Sequence, residues 1–235
     1  MKCCAIIYTD YYPHLDPGVL PPHFRPIEGM PLIAHTIKAF QECMQIDEII
    51  PVVAPEFMLY MSENIVDRYK FDKVQKIRES KDVRYATVMS GLDGLTQDTD
   101  IVLIHDSLRP LIEPDTISEL ITECLEHDAV ALGMQASQPV KRAEEGYILA
   151  SLDKKRIWLM QSPQAFKYSL IRDAYRTAET TAHVFADDAA VVEYYGNKVR
   201  VMEGKDTNLR VSTEDDFEIA RYLIQKKTES RGSDV

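Results

Sequence analysis

The sequence predicts an α/β protein built on a mostly parallel, doubly wound sheet, with helices on both faces and a β-arm projecting from one edge. Short apolar runs such as Ala5-Ile6-Ile7 and Ile101-Val102-Leu103-Ile104 have strand length and no polar alternation, as strands buried on both faces do. Between such runs, apolar residues recur at helical spacing, so strand and helix alternate up to about Gln135. From Ser137 to Trp158 that rhythm breaks into a polar, charged stretch with a turn at Glu145-Gly146, read as the arm.

Each element follows from its residues. Cys3–Tyr8 is the first strand. Pro13, Pro17, Pro21, Pro22 and Pro26 lack an N–H and have fixed φ, so the segment from Asp10 to Pro31 is a loop. Pro31 suits the first turn of a helix that carries Ile33, Ile37 and Phe40. Strands are expected at Glu48–Val53, Lys73–Ile77, Asp100–His105, Ala129–Met134 and Lys198–Met202, and helices at Phe57–Tyr69 and Arg84–Leu92. Behind Pro114, the positions Ile117, Leu120, Ile121, Cys124 and Leu125 follow the i, i+3, i+4, i+7, i+8 pattern of a helix. Further helices are read at Leu170–Thr177 and Asp188–Tyr194. The last is opened by a capping box, Thr213-x-x-Asp216, with Phe217, Ala220 and Ile224 facing inward. The expected organisation is one domain over 1–227, with the arm at 137–158 and a disordered tail at 228–235.

With 45% hydrophobic and 28% charged residues, the 235-residue chain has the composition of a globular domain. Its apolar runs are too short to span a bilayer, and its start has no signal-peptide cleavage pattern, so a cytoplasmic protein is expected. Cys3, Cys4, Cys43 and Cys124 lack metal-ligand spacing and fall in apolar segments, which reads as buried reduced thiols. A net charge of −11 argues against a nucleic-acid partner or an anionic membrane surface. It also means that any triphosphate ligand needs local cations or backbone N–H groups.

In an open parallel sheet, ligands bind beyond the carboxyl ends of the strands where strand order reverses. Two strand ends here are polar: Thr9 and Asp10 after the first, and His105-Asp106-Ser107-Leu108-Arg109-Pro110 after the clearest one. Asp106 has the chemistry to hold a hard cation such as Mg2+, and Arg109 could pair with it or organise the loop. The plainer alternative is an aspartate capping a turn with an arginine to neutralise it.

At this point a family resemblance enters. Ile101–Pro110 resembles the strand-plus-HDAARP segment of 2-C-methyl-D-erythritol 4-phosphate cytidylyltransferases and the related ribitol-5-phosphate cytidylyltransferases. The likeness continues in order. Arg84–Leu92 is similar to R-x-x-S-V-x-x-G-L, Val140–Glu144 to the dimerisation arm, and Arg156–Gln164 to the stretch around L-W-x-x-Q-T-P-Q. Asp187-Asp188-Ala189 resembles T-D-E-A, and Asn208–Asp215 resembles N-I-K-V-T-x-P-E-D. The resemblance implies a nucleotidyltransferase fold and transfer of CMP from CTP to a polyol phosphate, with Mg2+ as cofactor and a homodimer joined through the arm.

By the same resemblance, nucleotide contacts fall on Thr9, Asp10, Arg84, Thr87, Asp106 and Ser107, with Asp106 also the metal ligand. Acceptor contacts fall on Arg109, Lys141, Lys154 and Asp187, and phosphate-stabilising cations on Arg210 and Lys154. The amino-terminal loop departs from the pattern. Tyr8-Thr9-Asp10-Tyr11-Tyr12-Pro13-His14 stands where the family has A-A-G-x-G-x-R-M, and Pro22 stands where it has the lysine of P-K-Q. Arg25, His14 and His23 are the basic side chains in the loop able to take over that catalytic role, and Arg25 could reach a phosphate. Removing one such donor typically costs ~10²–10³ in rate, so a non-catalytic, nucleotide-binding relative is the competing expectation. A transferase for another base or sugar is a third.

Overall fold

The structure, a computed structural model, describes residues 1–9, 19–179, 181 and 183–232. In chain order its elements are β1 (Cys3–Tyr8), β2 (Pro26–Ile27), β3 (Met30–Pro31), α1 (Leu32–Glu42), β4 (Glu48–Val53), α2 (Met58–Tyr60), β5 (Arg78–Glu79), α3 (Arg84–Leu92), β6 (Ile101–Asp106) and α4 (Pro114–His127). There follow β7 (Ala129–Gln135), β8 (Val140–Glu144), β9 (Tyr147–Leu152), β10 (Trp158–Lys167), α5 (Tyr168–Ala178), α6 (Asp188–Tyr194), β11 (Arg200–Glu203) and α7 (Glu214–Gly232).

The main sheet has the order β11-β7-β10-β6-β1-β4-β5. Parallel pairing joins β1 to both β4 and β6, β4 to β5, and β7 to β11, while β10 runs antiparallel between β6 and β7. Strands β1, β4 and β6 are buried along their whole length. Their side chains alternate between two cores. Cys3, Ala5 and Ile7 pack with α1 and α4, while Cys4, Ile6 and Tyr8 pack with α3, α5 and α6. Two-sided burial is the reason these runs carry no polar alternation. A third cluster, with Ile27, Leu32, Leu108, Phe217 and Ala220, seats α7 against the loop after β6. All four cysteines are free and buried, and no helix among the described residues is long and apolar enough to cross a membrane.

Local chemistry explains the boundaries. Gly91 lets α3 approach β1, because a Cβ there would stand 2.6 Å from Ile6 Cγ2. The Thr213 capping box forms: Asp216 N–H donates to Thr213 Oγ1 at 3.2 Å, and Thr213 N–H donates to Asp216 Oδ2 at 2.8 Å. The arm is the hairpin β8–β9, turned by Glu145 and Gly146 at φ 48° and 84°. Tyr147, Ile148 and Leu149 on it are exposed.

Four readings shift. The strand expected at Lys73–Ile77 lies at Arg78–Glu79, which pairs in parallel with Val52 and Val53 of β4, while Lys73 only accepts a single bond from Ile49 N–H at 2.9 Å. The helix over 57–69 is irregular, passing from α2 into a π-helical stretch at Met61–Asp67. Strand β10 was not expected, since Pro163 and polar residues interrupt its apolar run. It is accommodated because the register against β7 shifts between Met160 and Gln164, taking Pro163 out of the ladder. Finally, α7 continues past Lys227 to Gly232, and residues 233–235 lie outside the described residues.

Candidate active site

Strand order reverses at β1 and β6, whose last residues, Tyr8 and Asp106, are register partners. A cavity of about 130 Å3 opens there, lined by Tyr8, Arg84, Asp106, Arg109, Met160, Gln161, Ser162, Gln164, Ala186, Asp187 and Asp188. A larger one of about 410 Å3 lies between α1, the loop after β6 and α7. Its rim charges are largely committed, Lys38 to Glu42 at 3.7 Å and Lys227 to Glu113 at 2.8 Å. The smaller cavity is where charged groups converge at the switch point, and it is the candidate site.

Asp106 is held from three directions. Its N–H donates to Ser162 Oγ at 3.0 Å, its Oδ1 accepts from Leu108 N–H at 2.9 Å, and its Oδ2 pairs with Arg210 Nε at 2.6 Å. Of the two roles open to Arg109, pairing with Asp106 or organising the loop, the second is the one formed. Arg109 turns away and its Nη1 donates to Asn208 O at 2.6 Å, while burial draws the guanidinium below its ordinary pKa. The cation on Asp106 comes from 104 residues downstream.

A second buried constellation forms the opposite wall. Arg84 Nη2 pairs with Asp188 Oδ2 at 2.5 Å, its Nε donates to Tyr8 Oη at 3.4 Å, and its guanidinium carbon stands 5.0 Å from the Tyr8 ring centroid. The Tyr175 hydroxyl donates to the other oxygen of Asp188. Burial disfavours the charge on Arg84, but the Asp188 carboxylate, with Tyr8 and Tyr175, outweighs it and holds the pKa above its ordinary value. Burial and then Asp106 push the Tyr8 phenol up. Gln164 ties this wall to α6, donating to Asp187 Oδ2 at 3.0 Å and accepting from Ala189 N–H at 2.8 Å.

Of the residues singled out from the sequence, Arg84, Asp106, Arg109 and Asp187 line the cavity, and Arg210 reaches it through Asp106. Asp187 spends its oxygens on Gln164 and on Ala190 N–H, capping α6. Others are turned elsewhere. Thr9 donates to Val52 O at 3.2 Å, and Thr87 exchanges two hydrogen bonds of 2.9 Å with the Lys81 backbone. Ser107 is fully buried below the strand end.

Arg25 forks onto Glu214 at 2.6 and 2.8 Å and lies 4.1 Å over the Phe217 ring, so it clamps α7 instead of facing the cavity. Lys141 and Lys154 belong to the arm and its base, donating to Ser151 Oγ and Ser137 O. Asp10 and His14 lie outside the described residues. Sequence reasoning passed over Tyr8, Ser162, Gln164, Tyr175 and Asp188 as site residues. The signal for three of them was present in the Gln161-Ser162-Pro163-Gln164 and Asp187-Asp188 motifs.

A protein-family model described as IspD, 2-C-methyl-D-erythritol 4-phosphate cytidylyltransferase, matches residues 18–226. The chain belongs to that family. Curated members from Clostridium acetobutylicum and Syntrophus aciditrophicus are each 35% identical to it over 203 and 202 residues. These alignments cover 86% of this chain, and 88% and 86% of the two relatives. The 4-diphosphocytidyl-2C-methyl-D-erythritol synthase of Anaerococcus prevotii shares the fold at a TM-score of 0.83 and 22% identity, covering 95% of this chain and 99% of that one. The cytidylyltransferase structure from Thermus thermophilus does so at 0.75 and 21%, covering 94% and 98%. The cytidylyltransferase family places this chain among nucleotidyltransferases, with a mostly parallel central sheet.

Among the described residues no three His, Cys, Asp or Glu side chains cluster to cage a metal. Mg2+ commonly takes one or two carboxylates and completes its shell with water and substrate phosphates. Asp106 Oδ2 at the cavity fits that mode, with Arg210 as the group that must yield it.

Proposed function

We propose that the protein transfers CMP from CTP to 2-C-methyl-D-erythritol 4-phosphate and releases pyrophosphate. The observation that carries this reading is the meeting of Asp106, Arg109 and Arg210 at the sheet's switch point, in a chain that matches the family over 18–226. An acceptor phosphate oxygen attacks the α-phosphorus of CTP, that P–O bond forms, and the bond to the β-phosphate oxygen breaks with its electrons leaving on pyrophosphate. Such a displacement asks for alignment and charge neutralisation more than covalent help. Arg109 and Arg210 supply positive charge beside the reacting phosphates. Arg84, locked by Asp188 and Tyr8, presents a rigid cation on the nucleotide side. Asp106 would hold Mg2+, which when bound offsets triphosphate charge on this acidic protein.

The test is pyrophosphate release with CTP and Mg2+, comparing 2-C-methyl-D-erythritol 4-phosphate with ribitol 5-phosphate. Turnover with the first acceptor and its loss on chelation support the proposal; no turnover by folded protein overturns it. One observation favours a second reading. By the resemblance Pro22 stands where the family has its loop lysine, and Arg25, one of the basic loop side chains able to substitute for it, is committed to Glu214. If this reading holds, calorimetry detects CTP binding in a protein that does not turn over.

We also infer that the arm pairs two copies of the chain. Tyr147 and Leu149 on one face of the hairpin strand and Ile148 on the other are 75%, 51% and 68% exposed, apolar area that a second copy would cover. The arm lysines Lys141 and Lys154 would then serve the partner's cavity. Replacing Tyr147 and Ile148 by serine should move the protein from dimer to monomer in sedimentation; a wild-type monomer refutes the inference.

A further inference from the structure

Asp106 and Arg109 sit on one short turn, yet neither is held by that turn alone. A ring of hydrogen bonds ties them to two distant segments. Asp106 N–H donates to Ser162 Oγ at 3.0 Å, and Ser162 Oγ meets His105 Nδ1 at 3.1 Å. His105 Nε2 meets Arg109 O at 3.1 Å, Arg109 Nη1 reaches Asn208 O at 2.6 Å, and Asn208 Nδ2 donates to Ser162 O at 2.8 Å.

The partners dictate every proton in this ring. A carbonyl oxygen can only accept, so Nε2 of His105 carries the hydrogen that meets Arg109 O. In the neutral ring Nδ1 is then the acceptor, and the Ser162 hydroxyl points its hydrogen at it. The Ser162 oxygen is then left with its lone pairs for Asp106 N–H. His105 is wholly buried and Asn208 is 3% exposed, so neither is placed to touch substrate directly. The His105 ring is further fixed by Phe40, 5.1 Å away between ring centroids.

Resting on the cytidylyltransferase reading above, we propose that His105 and Asn208 are positioning residues for the transfer. They close a half-buried ring through Ser162 that sets the Asp106 carboxylate and the Arg109 guanidinium in register with each other. The ring spans the end of β6, the bulge of β10 and the loop before α7, three segments with no covalent reason to stay aligned. A misplacement of about 1 Å at a reacting centre can cost roughly 10²-fold in rate, which is the scale of effect the ring protects.

His105→Gln keeps a donor near the Nε2 position and deletes the Nδ1 acceptor. Ser162→Ala deletes the hub, and Ser162→Thr keeps its hydroxyl. The expected outcome is a 10- to 100-fold fall in kcat for H105Q and S162A, with KM for CTP changed less than about threefold, because the Arg84 wall is untouched. S162T should return to within about threefold of wild type. The double variant H105Q/S162A should be no slower than its worse parent, since both break one ring.

Melting temperatures taken alongside separate a folding defect from misplacement. Wild-type kcat in S162A, or multiplicative losses in the double variant, overturns the proposal. An independent readout needs no turnover: long-range 1H–15N spectra of histidine-labelled wild type should show His105 as the neutral Nε2–H tautomer at neutral pH, and an Nδ1–H tautomer sinks the ring. Wild type without turnover, but with the Nε2–H tautomer, removes the transferase reading while leaving the ring in place.

Discussion

Replacing Asp188 by asparagine removes one charge and almost no volume, so it isolates the electrostatic role of the buried wall. Asp188 is 2% exposed, accepts from Tyr175 and holds Arg84 Nη2 at 2.5 Å. In Asp188→Asn the Tyr175 hydroxyl keeps an oxygen to donate to, but Arg84 faces a neutral amide. Breaking a buried pair from one side costs ~3–5 kcal/mol, because the other charge is stranded. The Arg84 side chain retains 28% exposure, so water softens the loss toward about 3 kcal/mol. With an unfolding entropy of about 2.1 cal/mol/K per residue, that loss lowers Tm by about 6 °C for the 235-residue chain.

Tyr175→Phe is the control. It deletes one hydrogen bond to a charged acceptor, ~1.5–3 kcal/mol, while leaving the Arg84–Asp188 pair in place. In D188N/Y175F the two losses should fall short of additive, because both act on the same carboxylate. Calorimetric unfolding at pH 7 measures all three variants, and KM for CTP should rise in D188N as Arg84 loosens. A D188N protein melting within 1 °C of wild type, or strict additivity in the double variant, would falsify the account of Arg84 as a cation pinned from beneath.

Two further outcomes follow from charges outside the cavity. Glu113 accepts from Lys205 at 2.5 Å and Lys227 at 2.8 Å, and those hydrogen bonds hold its carboxyl down to about 2 from an ordinary 4.5. Its contribution is therefore present in full above pH 4.5 and fades as pH falls toward 2. Glu113→Gln should cost about 1 kcal/mol at pH 7 once solvent screening is allowed for. Its denaturant midpoint should fall less steeply than wild type's through that acid window, and identical slopes would remove the clasp. Arg25→Ala should loosen the seating of α7 by removing the Glu214 pair and the Phe217 contact, with a small fall in Tm and turnover within about threefold; a hundredfold loss in kcat would return Arg25 to phosphate binding.

The architecture was legible because burial writes a local period. Cys3–Tyr8, Glu48–Val53 and Ile101–Asp106 are buried on both faces and read as apolar runs whose charged or polar residues, Glu48, His105 and Asp106, stand only at the ends. The helical repeat of α4 and the Thr213 capping box likewise depend only on neighbours a turn away. Asp106 and Arg109 stood out because they follow such a strand. Strand β10 was illegible for the complementary reason, since its place between β6 and β7 is set by pairing partners and not by its own pattern.

Side-chain partnership in the cavity has no such local record. Asp106 meets Arg210 across 104 residues, Arg84 meets Asp188 across another 104, and Asp106 meets Ser162 across 56. A loop arginine facing phosphate and one folded onto Glu214 have the same neighbours in the chain, so composition could not separate them for Arg25. The local chain carried enough to place a carboxylate at the end of a buried strand. Which cation neutralises it, and which serine holds its backbone, depended on how β6, β10 and the segment before α7 close around one another, because Coulomb attraction and hydrogen bonding act through distance in space.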